Sequence, residues 1–548
     1  MTRRIKVVLC IVLLASIGVA YAPTERYFEI AKSLDIFATL FKEVNAYYVD
    51  EVDPKKLIRS SIDGMLESLD PYTDYIPEDE LESFRVTTTG QYAGIGALIG
   101  VINNRTIITH PYKNFPANKA GIRVGDEIIA IDGKNVQGKP TSEVSTLLKG
   151  PAKTEVELKI RRSGQPTDQV IKIKREKITI SNLAYSGMVG STIGYIKLDD
   201  FTPGASKEVA DAIARLKSQG AQKLILDLRD NPGGLMLEAI NIVNLFVPRD
   251  KEVVSTRGKV PEWNRAYMTL NNPLDTEIPV AVLIGEGSAS ASEIVAGALQ
   301  DYDRAVLVGT KTFGKGLVQT TRQLSYNAQL KVTTAKYYIP SGRCIQALDY
   351  AHRNEDGSVH KLADSLRVEF KTKNGRKVLD GKGIDPDIDI EDEYLGAVTV
   401  ALIQEGLIFE YASRYCGQNP MPDLKLFKVS DAVYNNFLDW VKTQNFSYST
   451  SLEASTNQLL ESAKQERYYT ELESQLTDLK RRVEANKSSD FIRFKKEISE
   501  ILEQQIAFHY ALAEGQAIVS LPHDEVVLQA VKVLGNNQEY KAILSPRE

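Results

Sequence analysis

The chain is poor in the residues from which metal and histidine-based sites are built. Its 548 residues include three cysteines, five histidines and two tryptophans. Cys10, Cys344 and Cys416 share no metal-ligand spacing, which argues against zinc and iron–sulfur patterns. Cys344 and Cys416 leave two alternatives: a disulfide in an oxidising compartment, or two buried thiols. His110, His352, His360, His509 and His523 all stand outside the glycine-rich loops discussed below, so a Ser-His-Asp triad has no support. The net charge of -5 gives no electrostatic case for nucleic acid. Long apolar runs are also scarce. Only Val7 to Ala22 qualifies, preceded by Arg3, Arg4 and Lys6. That is the pattern of an export signal, ending at Ala20 or Ala22, or of an uncleaved membrane anchor. Either form predicts a protein outside the cytoplasm, in a periplasm, with the segment as a candidate attachment to the inner membrane.

What remains is a globular composition, 43% hydrophobic and 25% charged, in a chain too long for one core. Residues 27 to 85 read as short helices, with Ile30, Leu34, Phe37, Leu40 and Phe41 at helical spacing and a stop at Leu69-Asp70-Pro71-Tyr72. Residues 90 to 175 change to short alternating strands, as in Val156 to Ile160, with Asp132-Gly133 as a tight-turn signal. From 205 to 339 helices and strands alternate, which predicts parallel strands with crossover helices. Residues 395 to 548 are mostly helical, and Leu472, Leu476 and Leu479 predict one apolar stripe.

Three loops in the alternating region carry the chemistry. Gly287-Ser-Ala-Ser-Ala-Ser-Glu293 follows the apolar run Pro279 to Ile284 and starts a helix. Ser290 and Glu293 fit a capping box, and spacing does not choose among Ser288, Ser290 and Ser292 as a nucleophile. Asp227 to Gly234 follows a strand and ends in two glycines, suited to exposing backbone amides as oxyanion donors. Lys315 lies between Gly314 and Gly316. A lysine serves as a base only when burial lowers its pKa from about 10.4. Phe313, Leu317 and Val318 are candidates for an apolar wall, and Gln319 for orienting the amine. The same run nearly matches a phosphate-cradling loop, but Gly316 stands where a Ser or Thr should hold magnesium.

Taken together these segments resemble the C-terminal processing peptidases, or tail-specific proteases. The likeness rests on Gly94 to Ala97, Ala120 to Asp126, Gly194 to Leu198, Asp227 to Gly234, Gly287 to Glu293, Lys311 to Gln319 and Tyr337 to Arg343. It runs from about residue 30 to 390, and no motif carries beyond about 395. The resemblance implies a serine endopeptidase without metal or cofactor, acting on exported proteins near free C-termini. It assigns Ser290 as nucleophile, Lys315 as general base and Gln319 as the residue holding that base. The oxyanion donors it implies are the amides of Ala291 and of Gly233 or Gly234, with Asp301 in a supporting position. It also implies a PDZ domain whose loop Gly94, Ile95, Gly96 and Ala97 holds a substrate's terminal carboxylate.

The expected fold is α/β and multidomain: a parallel-sheet, crotonase- or ClpP-like protease core with an inserted PDZ domain and helical regions at both ends. The expected divisions are 1–22, signal or anchor; 23–85, N-terminal helices; 86–175, PDZ domain; 176–394, protease core; 395–548, C-terminal helices. The helical regions are candidates for a homodimer contact. A non-catalytic envelope scaffold is the alternative function.

Overall fold

The computed structural model describes residues 26–354, 357–361, 364–391 and 394–546. The proposed signal or anchor lies outside the described residues. Among the described residues no helix is long and apolar enough to cross a membrane.

The N-terminal region contains helix α1 (26–47), α2 (Pro54–Glu67), β1 (Asp74–Ile76) and α3 (Leu81–Thr89). Asp53 caps α2, accepting from the Lys55 and Lys56 amides, and Pro54 takes the first turn, where no N–H is needed. Much of the apolar stripe of α1 is uncovered by the described residues: Leu34 is 64% and Leu40 58% exposed.

The next unit contains β2 (Gln91–Gly94), β3 (Ala97–Ile102), β4 (Arg105–Pro111), α4 (Pro116–Lys119), β5 (Glu127–Ile131), β6 (Lys134–Asn135), α5 (Thr141–Leu148), β7 (Glu155–Arg161), β8 (Gln169–Lys174) and β9 (Glu176–Thr179). Its sheet runs β3-β4-β5-β7-β8, with β3 at the edge, and β2 pairs with β9 at its base. Asp132 and Gly133 both take positive φ in the β5–β6 turn, as the Asp-Gly pair predicts. Alternate residues of β7, namely Val156, Leu158 and Ile160, fill the core with Ile108, Ile128 and Val144.

The third region contains β10 (Leu183–Val189), β11 (Ile193–Leu198), α6 (Ala205–Ser218), β12 (Lys223–Asp227), α7 (Met236–Asn244), β13 (Glu252–Gly258), β14 (Arg265–Met268), β15 (Val280–Ile284), α8 (Ala291–Asp301), β16 (Ala305–Gly309), β17 (Leu317–Gln323) and β18 (Gln329–Tyr338). Smaller strands follow: β19 (Leu348–Arg353), β20 (Val359–Lys361), β21 (Glu369–Lys371), β22 (Lys377–Leu379) and β23 (Ile388–Asp389). The main sheet runs β10-β11-β12-β15-β16-β23. Its pairs are parallel from β11 to β23, and β10 is antiparallel. The fold is mixed α/β, and its other sheets are antiparallel. In the sheet β1-β18-β13-β14, β17 also pairs with β18. The alternation expected over 205–339 therefore does not hold to its end: β17 and β18 leave the parallel series and frame the lysine loop from a second sheet.

The C-terminal helices are α9 (Ala397–Gln404), α10 (Leu407–Gln418), α11 (Asp431–Lys442), α12 (Ser451–Gln465), α13 (Tyr469–Ser488), α14 (Asp490–Arg493), α15 (Lys495–Ser520), α16 (Glu525–Gly535) and α17 (Asn537–Ile543). Backbone angles leave the helical region inside α15 at Ala511 and Leu512. Of the expected leucine stripe only Leu476 is buried; Leu472 and Leu479 are exposed. The division at 394/395 separates what packing joins. Helices α6, α7 and α8 cover one face of the main sheet. On the other face Val526, Val527, Ala530, Val533, Leu534 and Tyr540 of α16 and α17 pack on Ile225, Ala281, Leu283, Val306 and Val308. A parallel sheet needs both faces covered, and the far end of the chain supplies the second cover. Cys344 and Cys416 are both free thiols, so the disulfide alternative falls.

His509 of α15 is buried where the C-terminal helices meet the β5 turn of the second unit. Its Nε2 lies 2.9 Å from Ser413 Oγ and its Nδ1 2.8 Å from the Gln505 carbonyl. Burial pushes its pKa down to about 4, against a small upward pull from the Gln505 carbonyl. An unfolded histidine binds its proton near 6.5. As pH falls from above 6.5 towards 4, the unfolded chain takes up the proton first, so His509 makes folding weaker by up to about 3 kcal/mol. In urea titrations at pH 7.5 and 5.0, His509→Gln should lose less stability on acidification than the wild type. Equal losses would remove His509 as the cause.

Candidate active site

The three serines of the loop before α8 have different fates. Ser288 is fully buried, donating to the Leu228 carbonyl at 2.8 Å and accepting from the Gly285 amide at 3.0 Å. Ser292 is also fully buried and donates to the Asn231 carbonyl at 2.9 Å. These two hydroxyls fasten the serine loop to the Asp227–Gly234 loop. Ser290 alone is partly exposed. It caps α8 with φ 55° and ψ -112°, a conformation costly for a residue with a Cβ and often found at reactive sites.

Glu293 ties this serine to the lysine. Its side chain is fully buried. Oε2 accepts from the amides of both Ser290, at 2.8 Å, and Lys315, at 2.9 Å. Oε1 accepts from Thr312 Oγ1 at 2.6 Å and the Gly314 amide at 2.7 Å. The Tyr337 hydroxyl makes a second bridge on the carbonyl side, 2.6 Å from Lys315 O and 3.1 Å from Ser290 O. The Phe313 amide adds a third link, to Ser288 O at 3.1 Å. The carboxylate arm of the capping box is present, from the Ser290 amide to Glu293, as one corner of a clamp between two loops. Burial raises the Glu293 pKa, opposed by Thr312 and by the amides of Lys315, Ser290 and Gly314.

Glutamine at 293 would keep the shape but present a single acceptor oxygen to four donors. Each donor left unpaired in a buried site costs about 1–3 kcal/mol. Glu293→Gln should therefore lower kcat by one to two orders of magnitude and lower the melting temperature. Steady-state turnover together with a thermal melt measures both, and wild-type values of both would contradict the clamp.

Lys315 is half-buried. Its pKa is lowered, first by burial and then by the Lys331 charge, against upward pulls from Glu293 and Asp70. The apolar wall differs from expectation. Leu317 is buried, but Phe313 is 51% exposed, and the aromatic face over the amine belongs to Tyr72. Gln319 sits on β17 and donates through Nε2 to Thr333 Oγ1 of β18 at 3.1 Å.

The Asp227–Gly234 loop lies against the serine, as parallel pairing of β12 and β15 requires. A Cβ at Gly233 would stand 2.6 Å from Ala289 O and 2.9 Å from Ser290 Cβ, and φ is +97°. No side chain fits there without moving the serine. The Gly233 amide donates to Asn231 Oδ1 at 2.9 Å, so that donor is already engaged. Ala291 opens α8, where backbone amides lack helical acceptors. Asp301 stands at the opposite end of α8, about 16 Å from Ser290 by helical rise. It pairs with the buried Arg343 at 2.9 Å and accepts the Ser341 amide at 2.9 Å. That is an anchor for the Tyr337–Arg343 segment, away from the reacting groups. Its pKa is raised by burial, with Arg343 opposing.

Sequence reasoning missed two contributors. Tyr72 was visible only as part of a helix stop. Asp524, the N-cap of α16, accepts from Arg229 at 2.7 and 3.1 Å. Arg229 also grips Asp227, holding its carboxyl below the usual range despite burial, and Tyr195 donates to the same carboxylate at 2.6 Å.

In the second unit, Gly94 ends β2, Ile95 is buried, Gly96 takes φ +75° and Ala97 opens β3. A Cβ at Gly96 would meet Phe115 Cβ at 2.6 Å.

Comparison with known proteins agrees with this geometry. Residues 192–351 match the model of peptidase family S41, 107–162 match a PDZ domain, and 398–534 match a probable PDZ-protease C-terminal helical domain. A probable CtpA-like serine protease of Staphylococcus aureus (strain COL) is 34% identical over 403 residues, 73% of this chain and 69% of that one. The chain belongs to the S41 peptidases of the carboxy-terminal-processing kind. The carboxy-terminal-processing protease of Bartonella bacilliformis is 41% identical over 321 residues, 58% of this chain and 73% of that one. Among solved structures, a photosystem II D1 C-terminal processing protease is 27% identical, covering 66% of this chain and 93% of that one, with a TM-score of 0.35. The chain is thus a C-terminal processing serine protease of family S41 with a PDZ domain, and the scaffold alternative is set aside.

Proposed function

We propose that Ser290 is the S41 nucleophile, Lys315 its general base and Gln319 the residue that receives the amine as it moves to the serine. One observation carries this. Ser290 and Lys315 share a single acceptor atom through their amides, Glu293 Oε2, and a single hydroxyl, Tyr337, at their carbonyls. Their backbones are neighbours, and of the three serines only Ser290 is partly exposed. The neutral amine takes the Ser290 proton as Oγ attacks the scissile carbonyl. The Ala291 and Gly234 amides hold the oxyanion, with bare Gly233 leaving room for it. The amine-bound proton then passes to the leaving nitrogen, and water hydrolyses the acyl-enzyme.

The tail enters through the PDZ domain. Edge strand β3 accepts the substrate as an added strand, and the Gly94–Ala97 loop receives its carboxylate. A cavity of about 1640 Å³ reaches from Leu98 and Phe115 of the PDZ domain to Asp230 and Gly287 of the loops that flank the serine; Ser290, Lys315 and the Gly94–Ala97 loop are not in its lining. The parallel run β11-β12-β15-β16-β23 supports a crotonase- or ClpP-like core. On this reading the domains are 23–85, 86–175, 176–394 and 395–548, the last lending α16 and α17 to the core. Residues 1–22 direct export to a periplasm, cleaved or kept as an anchor. The exposed apolar face of α1 supports homodimer contact through the helical regions.

The test uses one peptide with a free C-terminus and its amide. Ser290→Ala should bind the free acid at least tenfold more tightly than the amide and cleave neither. Cleavage by Ser290→Ala would end the nucleophile assignment, and equal affinities would end the carboxylate role. Gly96 is unsuited to this test, because the collision with Phe115 would distort the loop itself.

A further inference from the structure

The proposed base is touched by a residue from outside the protease core. Lys315 Nζ lies 4.3 Å from the centroid of the Tyr72 ring, well inside the range at which an aromatic face attracts an ammonium. Tyr72 belongs to the turn between α2 and β1, and that turn is firmly built. The Asp70 carboxylate accepts from the Tyr72 amide at 2.8 Å, the Thr73 amide at 2.9 Å and Thr73 Oγ1 at 3.0 Å. Strand β1 pairs with β18. Arg353 donates to the Glu67 carbonyl at 2.9 Å, and the Tyr350 ring stands edge-on to Tyr72 at 6.1 Å.

The same turn reaches the support of Gln319. Thr73 Oγ1 accepts the Thr333 amide at 3.2 Å, and Thr333 Oγ1 accepts Gln319 Nε2 at 3.1 Å. The N-terminal region therefore contacts the base directly and its orienting glutamine through one threonine. The charged groups that face Lys315 are Lys331 from β18, Glu293 from α8 and Asp70 from this turn; the phenols of Tyr72 and Tyr337 complete its titratable surroundings. Lys331 disfavours the ammonium, and the two carboxylates favour it. The Tyr72 ring adds to the carboxylates, because a π-face attracts the charged amine and not the neutral one.

We propose that Tyr72 is a positioning residue for the base: its ring face holds the Lys315 ammonium in a resting place beside the serine loop, and so sets the pH above which the free amine becomes available. The inference rests on reading Lys315 as the base. The ammonium gives its proton to solvent, leaves the ring as a neutral amine, and accepts the Ser290 hydroxyl proton.

The test is the pH dependence of kcat/KM on a peptide with a free C-terminus, whose acid limb reports the base in the free enzyme. Tyr72→Phe keeps the ring and should keep the limb where the wild type has it. Tyr72→Leu keeps the apolar cover but loses the π-face. Its limb should move to lower pH by roughly half to one and a half units, with KM unchanged. Tyr72→Met, also without a ring, should shift the limb likewise and serves if the leucine variant folds poorly. A limb that stays in place or rises in the ringless variants, while Lys315→Ala is inactive, overturns the role of Tyr72 and leaves the base assignment standing. Wild-type activity in Lys315→Ala overturns the base assignment and the role of Tyr72 with it.

Discussion

Lys315→Ala is expected to lower turnover by roughly two to four orders of magnitude, the contribution of a positioned general base, while the protein stays folded. The separation of the two effects follows from the way the lysine is held. Its amide bonds Glu293 and its carbonyl accepts from Tyr337. Both ties are backbone ties and survive loss of the side chain. What is lost is a half-buried amine whose charge is already disfavoured by burial and by Lys331. Removing it relieves a desolvation cost, so the melting temperature should hold or rise slightly. Turnover and a thermal melt on the same preparation check this. Activity within tenfold of the wild type, or loss of activity only through unfolding, would contradict the assignment.

Ending the chain after Ser520 should prevent the protease core from folding, although every proposed catalytic residue is retained. Leu521, Val526, Val527, Val533, Leu534 and Tyr540 bury their side chains on the main sheet face. At about 1.5–3 kcal/mol for each buried side chain, their removal costs on the order of 10 kcal/mol, comparable with the whole stability of an ordinary domain. The Tyr540 hydroxyl also bonds the Val280 amide at 3.0 Å and lies 3.1 Å from its carbonyl, at the start of the strand that leads to the serine. Asp524 would leave Arg229 with one carboxylate fewer beside the loop before Gly233. The expected result is insoluble protein, or a soluble species without a cooperative melt. A truncated chain that melts cooperatively near the wild-type temperature would contradict the packing described.

Much of this was legible from residue order because the signals are local. The apolar run at Val280–Ile284, the glycines of the 227–234 loop and the helical spacing after Glu293 each mark an element by short-range geometry. The choice among three serines was not local. It depends on the Leu228 and Asn231 carbonyls, brought near by β12–β15 pairing. Glu293 reads as a cap because Ser290 is three residues away, whereas its other donors lie some twenty residues on and meet it only after β16 is laid down. Asp301 looked close to the serine in sequence, but a straight helix carries it to the far end. The helical character of residues 395–548 was visible, but nothing in it names the sheet that α16 covers. Tyr72 is an aromatic in a turn until β1 docks on β18.

The most direct measurement is phosphonylation by a serine-directed fluorophosphonate, in which Oγ displaces fluoride from phosphorus, followed as mass gain and mapped by peptide sequencing in the wild type and in Lys315→Ala. The adduct should fall on Ser290 alone and form at least a hundredfold faster in the wild type. An adduct on Ser288 or Ser292, or equal rates in the two proteins, would contradict a Ser290 nucleophile activated by Lys315.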